Sequence, residues 1–233
     1  MNEILIESRG LCKNFAALPA LQNVTFTLPK GRIVGLLGPN GSGKTTLLKL
    51  MNGLLTPTAG TLTIGGHPIG VETKKIVSYL PDRNFLSPWM TVEQMCAYFA
   101  DFFEDFDRAR ANAMLAQLQI DKTRKCKTLS KGTQEKVALI LTMSRNAQLY
   151  LLDEPIAGVD PAARDSILRT IVGSYREDAT ILISTHLIAD VEPVLSDVLF
   201  LQYGHIVLQD TVDAIREREK KSVDALFREV FRC

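Results

Sequence analysis

The sequence has 233 residues, and its 27 lysines and arginines against 26 aspartates and glutamates give a formal net charge of +1. This length can bury the core of one large domain or of two closely joined lobes, and the balanced charge produces no overall field that favours nucleic acid. The four cysteines lack CxxC pairing, which argues against a zinc site or a disulfide framework. No apolar run approaches the roughly 20 residues of a membrane-spanning helix, so we expect any membrane span to come from another chain.

The first part of the chain is predicted to form short strands on either side of a glycine-rich turn. Before the turn, strands are predicted at Ile4–Glu7, Val24–Leu28 and Ile33–Leu37, from their β-branched or alternating apolar residues. After the turn, strands are predicted at Gly60–Ile64 and Ile76–Leu80, the second of which is stopped by a proline.

The glycine-rich turn matches the phosphate-binding pattern GxxxxGK[ST] between a predicted strand and a predicted helix. Glycines let the backbone curl around an anion so that several N–H groups point inward, and the following helix adds its dipole. Lys44 is expected to reach the outer phosphates, and the hydroxyl of Thr45 is expected to hold Mg²⁺. The residues predicted to bind the phosphates are Gly38, Pro39, Asn40, Gly41, Ser42, Gly43, Lys44, Thr45 and Thr46. The turn therefore predicts a nucleoside triphosphate site, with a chance match as the alternative.

After the fifth strand the apolar periodicity becomes helical. Apolar residues recur at helical spacing over Val92–Phe103, and residues 109–120 are predicted to form a second amphipathic helix. Asp105 and Asp107 lie between the two helices and suit the N-terminal cap of the second. We therefore predict a helical insertion over residues 86–140.

A second chemical element follows this insertion. Leu149–Leu152 is an apolar run typical of parallel strands, and it ends in Asp153 and Glu154. Ligands of α/β folds bind at the carboxyl edge of the sheet. Asp153 is therefore predicted to hold the Mg²⁺ shell and Glu154 to polarise an attacking water, with an exposed acidic turn as the alternative. The apolar run Thr180–Ile183 and a predicted hairpin over residues 198–209 continue the alternating pattern.

With these elements the sequence resembles the nucleotide-binding subunits of ABC transporters over essentially its whole length. Leu129–Gln134 reads LSKGTQ, begins 20 residues before Leu149, and is similar to the family signature LSGGQ with substitutions. Ser130 and the Gly132 N–H lie at the start of a helix predicted over residues 134–145, where backbone donors and the helix dipole converge on an anion. In the family this surface faces the γ-phosphate held by a second subunit. An ordinary capped helix is the alternative.

The resemblance implies roles for further residues. Phe15 matches the aromatic residue that stacks on adenine, and His186 matches the switch histidine that contacts the γ-phosphate and water. Asp160, in the stretch Ala157–Asp160, matches the loop that crosses the dimer interface. It also suits the N-cap of a helix predicted from Pro161 to about Tyr175. Asp82 stands where the family usually has glutamine. We expect Asp82 to keep a Mg²⁺ role through a tighter loop or a bridging water, and the alternative is that it only starts the turn.

The fold class implied by the resemblance is α/β. It comprises the RecA-like core of a P-loop NTPase, an N-terminal antiparallel β region and an inserted helical lobe, which is the architecture of an ABC ATPase. One domain over residues 1–233 is expected, with the core in residues 1–85 and 141–233 and the lobe in residues 86–140. The loop Phe85–Met90 carries large apolar residues. In the family this surface receives a membrane subunit, and packing within the lobe is the alternative.

The implied activity is an ATPase that powers transport, with ATP and Mg²⁺ as ligands and Glu154 and His186 as catalytic residues. Two ATPase subunits, as a homodimer or a heterodimer, would sandwich two ATP molecules beside polytopic permease subunits, at the cytoplasmic face of the membrane. The signature and the stretch Phe103–Asp107 look like those of bacterial drug, bacteriocin or antibiotic exporters, and an importer remains open. A soluble ABC ATPase of translation or DNA repair and a P-loop small-molecule kinase are the rival classes. No nucleic acid partner is expected, because the basic cluster in residues 122–131 lacks interleaved aromatic residues.

Overall fold

The computed structural model describes residues 3–157, 159–174, 176 and 178–231. Gly158 of the predicted interface loop therefore lies outside the described residues, as does Tyr175 at the predicted end of the helix that begins at Pro161. Within the described residues, no helix has the length and apolar character needed to cross a membrane.

A four-stranded antiparallel sheet forms the first layer, in the order β2-β1-β4-β5. Its strands are β1 (Ile4–Phe15), β2 (Leu18–Pro29), β4 (Ala59–Ile64) and β5 (His67–Pro68). The sequence predicted short strands here, whereas β1 and β2 each run for 12 residues. Register shifts along their pairing, one of them at Gly10 with φ 57°, let the ladder continue through irregular positions.

A six-stranded sheet forms the centre of the α/β fold, in the order β10-β9-β3-β8-β7-β6. Its strands are β3 (Ile33–Leu37), β6 (Val77–Leu80), β7 (Leu149–Asp153), β8 (Thr180–Thr185), β9 (Asp197–Gln202) and β10 (His205–Thr211). All neighbours pair in parallel except β9 and β10, which form the predicted antiparallel hairpin. The parallel strands therefore end at one edge, which collects the residues that follow β3, β6, β7 and β8.

The helices lie on both sides of this sheet. They are α1 (Lys44–Met51), α2 (Val71–Ile76), α3 (Val92–Phe102), α4 (Arg108–Gln117), α5 (Lys131–Met143), α6 (Pro161–Ser174), α7 (Ile188–Val191), α8 (Val212–Glu219) and α9 (Val223–Phe231). The apolar pattern of the sequence did not predict α2. It placed Ile76 in a strand, whereas Ile76 ends α2 and β6 begins at Val77.

Two hydrophobic cores flank the central sheet. Side chains on β7 alternate between them, with Leu149 and Leu151 facing one core and Tyr150 and Leu152 the other. The first core also contains the antiparallel sheet and α1, and the second contains apolar residues of α3, α4 and α5. The helices predicted between residues 86 and 140 are therefore present and packed on one face of the sheet, while the division into a core and a lobe stays a prediction.

Candidate nucleotide-binding site

The glycine-rich turn lies between the end of β3 and the start of α1, as predicted. Gly43 has φ 109°, and a Cβ atom there would lie 2.7 Å from the carbonyl oxygen of Ala20. A Cβ atom on Gly38 would lie 2.2 Å from the carbonyl oxygen of Leu201. The turn therefore requires glycine at both positions. It lines a cavity of about 320 Å³ together with Asp82 and Glu154.

Lys44 holds its ammonium group over the turn. Its Nζ donates to the carbonyl oxygens of Gly38 at 2.7 Å and Pro39 at 3.3 Å, and it lies 3.9 Å from Oε1 of Glu154. Burial lowers the pKa of Lys44, while the carboxylates of Glu154 and Asp153 act in the opposite direction. A buried ammonium with carbonyl partners beside the cavity is suited to donate to a phosphate oxygen in their place.

Asp153 ends β7 as a fully buried carboxylate. Its Oδ1 accepts from the hydroxyl of Thr45 at 3.2 Å and from the hydroxyl of Ser184 at 2.5 Å. Its Oδ2 is buried and makes no hydrogen bond to the described residues. Burial raises the pKa of Asp153, and the hydrogen bonds from Ser184 and Thr45 oppose this rise. An orphaned carboxylate oxygen beside a threonine hydroxyl fits a hard cation such as Mg²⁺.

Ser184 is a site residue that the sequence analysis did not single out. It is paired with Asp153 across the parallel strands β7 and β8. Its hydroxyl also accepts from the backbone N–H of Glu154 at 3.1 Å. The available signal was a small polar residue at the end of an apolar strand. Only the strand register assigns Asp153 as its partner.

Glu154 and His186 are brought together at the same edge. Oε2 of Glu154 lies 3.0 Å from Nδ1 of His186, and the Glu154 side chain is 18% exposed. Glu154 has φ 52°, a left-handed conformation that is uncommon for this residue type. Its backbone N–H is fixed by the carbonyl oxygen of Ser184 at 3.0 Å. Such strain next to a cavity is typical of functional positions.

Asp82 also reaches this edge. It follows β6 after Pro81, is exposed, and lines the same cavity as Lys44 and Glu154. The structure therefore places a carboxylate on the same cavity as Thr45, while the Mg²⁺ role of Asp82 stays a prediction.

Eight predicted site residues are not among the described residues that line this cavity. Gly38, Pro39, Asp153 and His186 are hydrogen-bonded to the lining side chains of Lys44, Thr45 and Glu154. The other four are Phe15, Ser130, Gly132 and Asp160. Phe15 is 45% exposed at the tip of the β1–β2 hairpin. Ser130 is the N-cap of α5 and accepts from the backbone N–H of Thr133 at 3.2 Å, so its hydroxyl is at the start of a helix as predicted. Asp160 is exposed immediately before α6.

The loop Phe85–Met90 was considered either as a surface for a membrane subunit or as part of the packing of the lobe, and its residues differ in burial. Leu86 is buried, and Phe85 and Met90 pack against the hydrophobic core. Trp89 is 72% exposed, with the ammonium of Lys127 5.7 Å from its ring centroid. Packing therefore accounts for Phe85, Leu86 and Met90, whereas Trp89 is the large apolar residue of the loop that is left exposed.

Comparisons with known proteins agree with this geometry. The family model described as "ABC transporter" matches residues 21–157. The ABC transporter ATP-binding protein YtrB of Bacillus subtilis is 32% identical over 219 residues, covering 91% of this chain and 74% of that protein. The Nod factor export ATP-binding protein I of a Rhizobium species is 27% identical over 225 residues, covering 93% and 74%. A solved structure titled "Structure of ATP binding subunit of ABC transporter" has a TM-score of 0.86 at 28% identity, covering 97% of this chain and 99% of that one.

Proposed function

This chain belongs to the ABC transporter family, as an ATP-binding subunit, and we propose that it hydrolyses ATP to power export through separate membrane subunits. The observation that carries the proposal is the edge of the central sheet. There Lys44, Thr45 and Glu154 line one cavity, with Asp153 hydrogen-bonded to Thr45 and His186 in contact with Glu154. A phosphate-binding turn, a cation-binding carboxylate and a general base are the parts that phosphoryl transfer to water requires.

Hydrolysis proceeds by in-line attack of a water on the γ-phosphate. The turn and Lys44 hold the phosphates, and Thr45 and Asp153 would hold Mg²⁺, with Asp82 beside them. Bound Mg²⁺ supplies neutralisation of the charge on the phosphate oxygens. Glu154 orients the water and accepts its proton, and His186 fixes the orientation of the Glu154 carboxylate through their 3.0 Å contact. The products are ADP and phosphate.

A second ATPase subunit completes each site. Ser130 and Gly132 lie at the start of α5, outside the cavity formed by the chain's own turn. The N-terminus of a helix attracts anions through its free N–H groups and its dipole. Two chains, as a homodimer or a heterodimer, therefore sandwich two ATP molecules, each between one turn and the opposite Ser130. ATP closes this dimer and hydrolysis releases it, which moves the membrane partners.

The membrane partners are polytopic permease subunits that carry the substrate, with this chain docked as a peripheral protein on their cytoplasmic side. Export is supported by the signature residues and by the name of the Nod factor export relative. The exposed ring of Trp89 is the contact that we assign to a permease loop.

The proposal is tested by purifying the tagged chain from its source membranes in mild detergent. Recovery with a polytopic membrane protein is the expected result, and ATP-dependent loss of substrate from cells or uptake into inverted vesicles would establish export. Uptake into cells would replace export by import. Recovery with ribosomes or DNA, and with no membrane protein, would overturn the transporter function.

A further inference from the structure

Strand β6 and helix α5 lie side by side and connect two predicted functional loops. β6 ends two residues before Asp82, and α5 begins directly after Ser130. Near the start of β6 and the end of α5, the buried hydroxyl of Ser78 donates to the carbonyl oxygen of Thr142 at 2.8 Å. The strand and the helix are therefore joined by side-chain hydrogen bonding as well as by apolar packing.

The end of the pair where β6 begins and α5 finishes, here called the lower end, is fixed by a buried arginine. Arg145 follows α5, is 4% exposed, and donates to the carbonyl oxygens of Val77 at 2.6 Å and Lys75 at 3.0 Å. The same guanidinium binds both carboxylate oxygens of Asp105 at 2.8 and 3.1 Å, and it stacks on Phe103 at 4.1 Å from the ring centroid. So many contacts to one buried group prevent the lower end of α5 from sliding along β6.

At the other, upper end, the side-chain amides of Asn84 and Gln134 are bonded to each other. The Nδ2 of Asn84 donates to Oε1 of Gln134 at 2.5 Å, and Nε2 of Gln134 donates to the carbonyl oxygens of Leu129 at 3.0 Å and Cys126 at 3.1 Å. Gln134 thus binds the loop that carries Asp82 with one end of its amide. With the other end it binds the carbonyl of the residue next to Ser130.

This upper contact has room to change. Asn84 is exposed, in contrast to Ser78 and Arg145. Asp82, Asn84, Gln134 and Glu154 all border a cavity of about 410 Å³ between the loop, α5 and the end of β7. A loop beside open space can shift without disturbing a packed core.

We propose that Asn84 and Gln134 form a positioning pair that couples the Asp82 loop to the signature residue Ser130. The inference rests on the proposed function. In the two-chain sandwich, Asp82 borders the chain's own nucleotide, whereas Ser130 faces the nucleotide on the partner's turn. The pair therefore links the two ATP sites of the dimer, so that occupancy of one site changes the fit of the other.

The test uses Asn84→Asp in the full-length chain, with its partner subunit if it forms a heterodimer. The aspartate keeps an oxygen for the backbone N–H of Leu86, which Oδ1 of Asn84 accepts at 2.9 Å. It also replaces the donor to Gln134 by an acceptor, so the pair is broken while the turn is kept. Asn112→Asp makes the same change at an exposed position of α4 and is the matched control.

The readout is ATPase rate against ATP concentration, with ATP affinity and thermal stability measured in parallel. The wild type and Asn112→Asp are expected to show a Hill coefficient above 1. Asn84→Asp is expected to give a coefficient near 1 and a turnover lower by about 2- to 10-fold, with unchanged ATP affinity. Gln134→Leu is expected to give the same result, and the double variant to be no worse than either single variant.

The coupling would be overturned if Asn84→Asp had the same Hill coefficient as the wild type, or if the wild type itself had a Hill coefficient of 1. Additive losses of turnover in the double variant would overturn it as well. These results leave the proposed ATPase function intact. A wild type that hydrolyses no ATP with its partners present would instead overturn the proposed function itself.

Discussion

The hydroxyl of Thr45 lies 3.2 Å from Oδ1 of Asp153, joining residues that are 108 positions apart in the sequence. This contact brings the start of α1 to the end of β7 and leaves the other oxygen of Asp153 buried without a hydrogen bond to the described residues. The protein therefore keeps an unfavourable carboxylate at the position where a cation would make it favourable.

Replacing this carboxylate is expected to stabilise the metal-free protein. Burial raises the pKa of Asp153 in the folded state, so its carboxyl ionises more easily in the unfolded chain. The resulting penalty on folding grows as pH rises from the unfolded to the folded pKa and is fully present above the folded one. Asp153→Asn is therefore expected to raise Tm at pH 7.5 without Mg²⁺ by about 2–4 °C, for relief of about 1 kcal/mol. The gain should shrink as pH falls toward the carboxyl range. Thermal scans across pH check this, and a lower Tm for Asp153→Asn at pH 7.5 would contradict it.

The exposed ring of Phe15 is expected to supply adenine affinity. Phe15→Ala should weaken ATP binding by about 1–3 kcal/mol, which is roughly 5- to 150-fold in Kd. Leu18→Ala is the matched control, because Leu18 pairs with Phe15 across the same hairpin and is 75% exposed. Titration with ATP measures both variants. Equal affinities for the two would show that Phe15 does not contact the base.

The site was predictable from sequence where its signals are local. The glycine-rich turn lies between a strand and a helix as predicted, and Asp153 ends a buried strand with Glu154 directly after it. These positions follow from neighbouring residues, through backbone sterics and apolar runs. The partnership of Ser184 with Asp153 was not predictable, because it depends on the register of two strands separated by a helix.

The same limit applies to the acidic residues between α3 and α4. The sequence predicted that Asp105 and Asp107 suit the cap of α4. Asp107 does so, accepting from the backbone N–H of Arg110 at 2.9 Å. Asp105 instead binds Arg145, which is 40 residues away. Capping is encoded by adjacent residues, whereas a buried ion pair is decided by the packing of helices on the sheet.

Asp82 is expected to contribute to Mg²⁺ dependence. Asp82→Ala should raise the Mg²⁺ concentration for half-maximal ATPase rate by about 10-fold, the lower range for loss of a residue that orients a metal site. Chelation of Mg²⁺ should abolish activity in every variant. Arg83→Ala is the control, because Arg83 is exposed and lines only the neighbouring cavity. Superimposable Mg²⁺ curves for Asp82→Ala and the wild type would remove Asp82 from the metal site.

Arg145 is expected to matter for stability. Arg145→Met leaves the carbonyl oxygens of Val77 and Lys75 without their donor and Asp105 without its partner. The free energy of unfolding should fall by about 2–4 kcal/mol. Arg176→Met removes an exposed ion pair with Asp178 and should cost less than about 1 kcal/mol. Urea unfolding compares the two, and equal losses would contradict a structural role for the buried network.

The most direct test of the proposed function is the ATPase turnover of Glu154→Gln, measured beside its affinity for ATP. Glutamine keeps the size of the side chain but cannot accept the proton of the attacking water. Turnover is predicted to fall by about 10²–10⁴-fold, while ATP binding is retained because Lys44 and the glycine-rich turn are unchanged. Wild-type turnover in Glu154→Gln would contradict the assignment of Glu154 as the base.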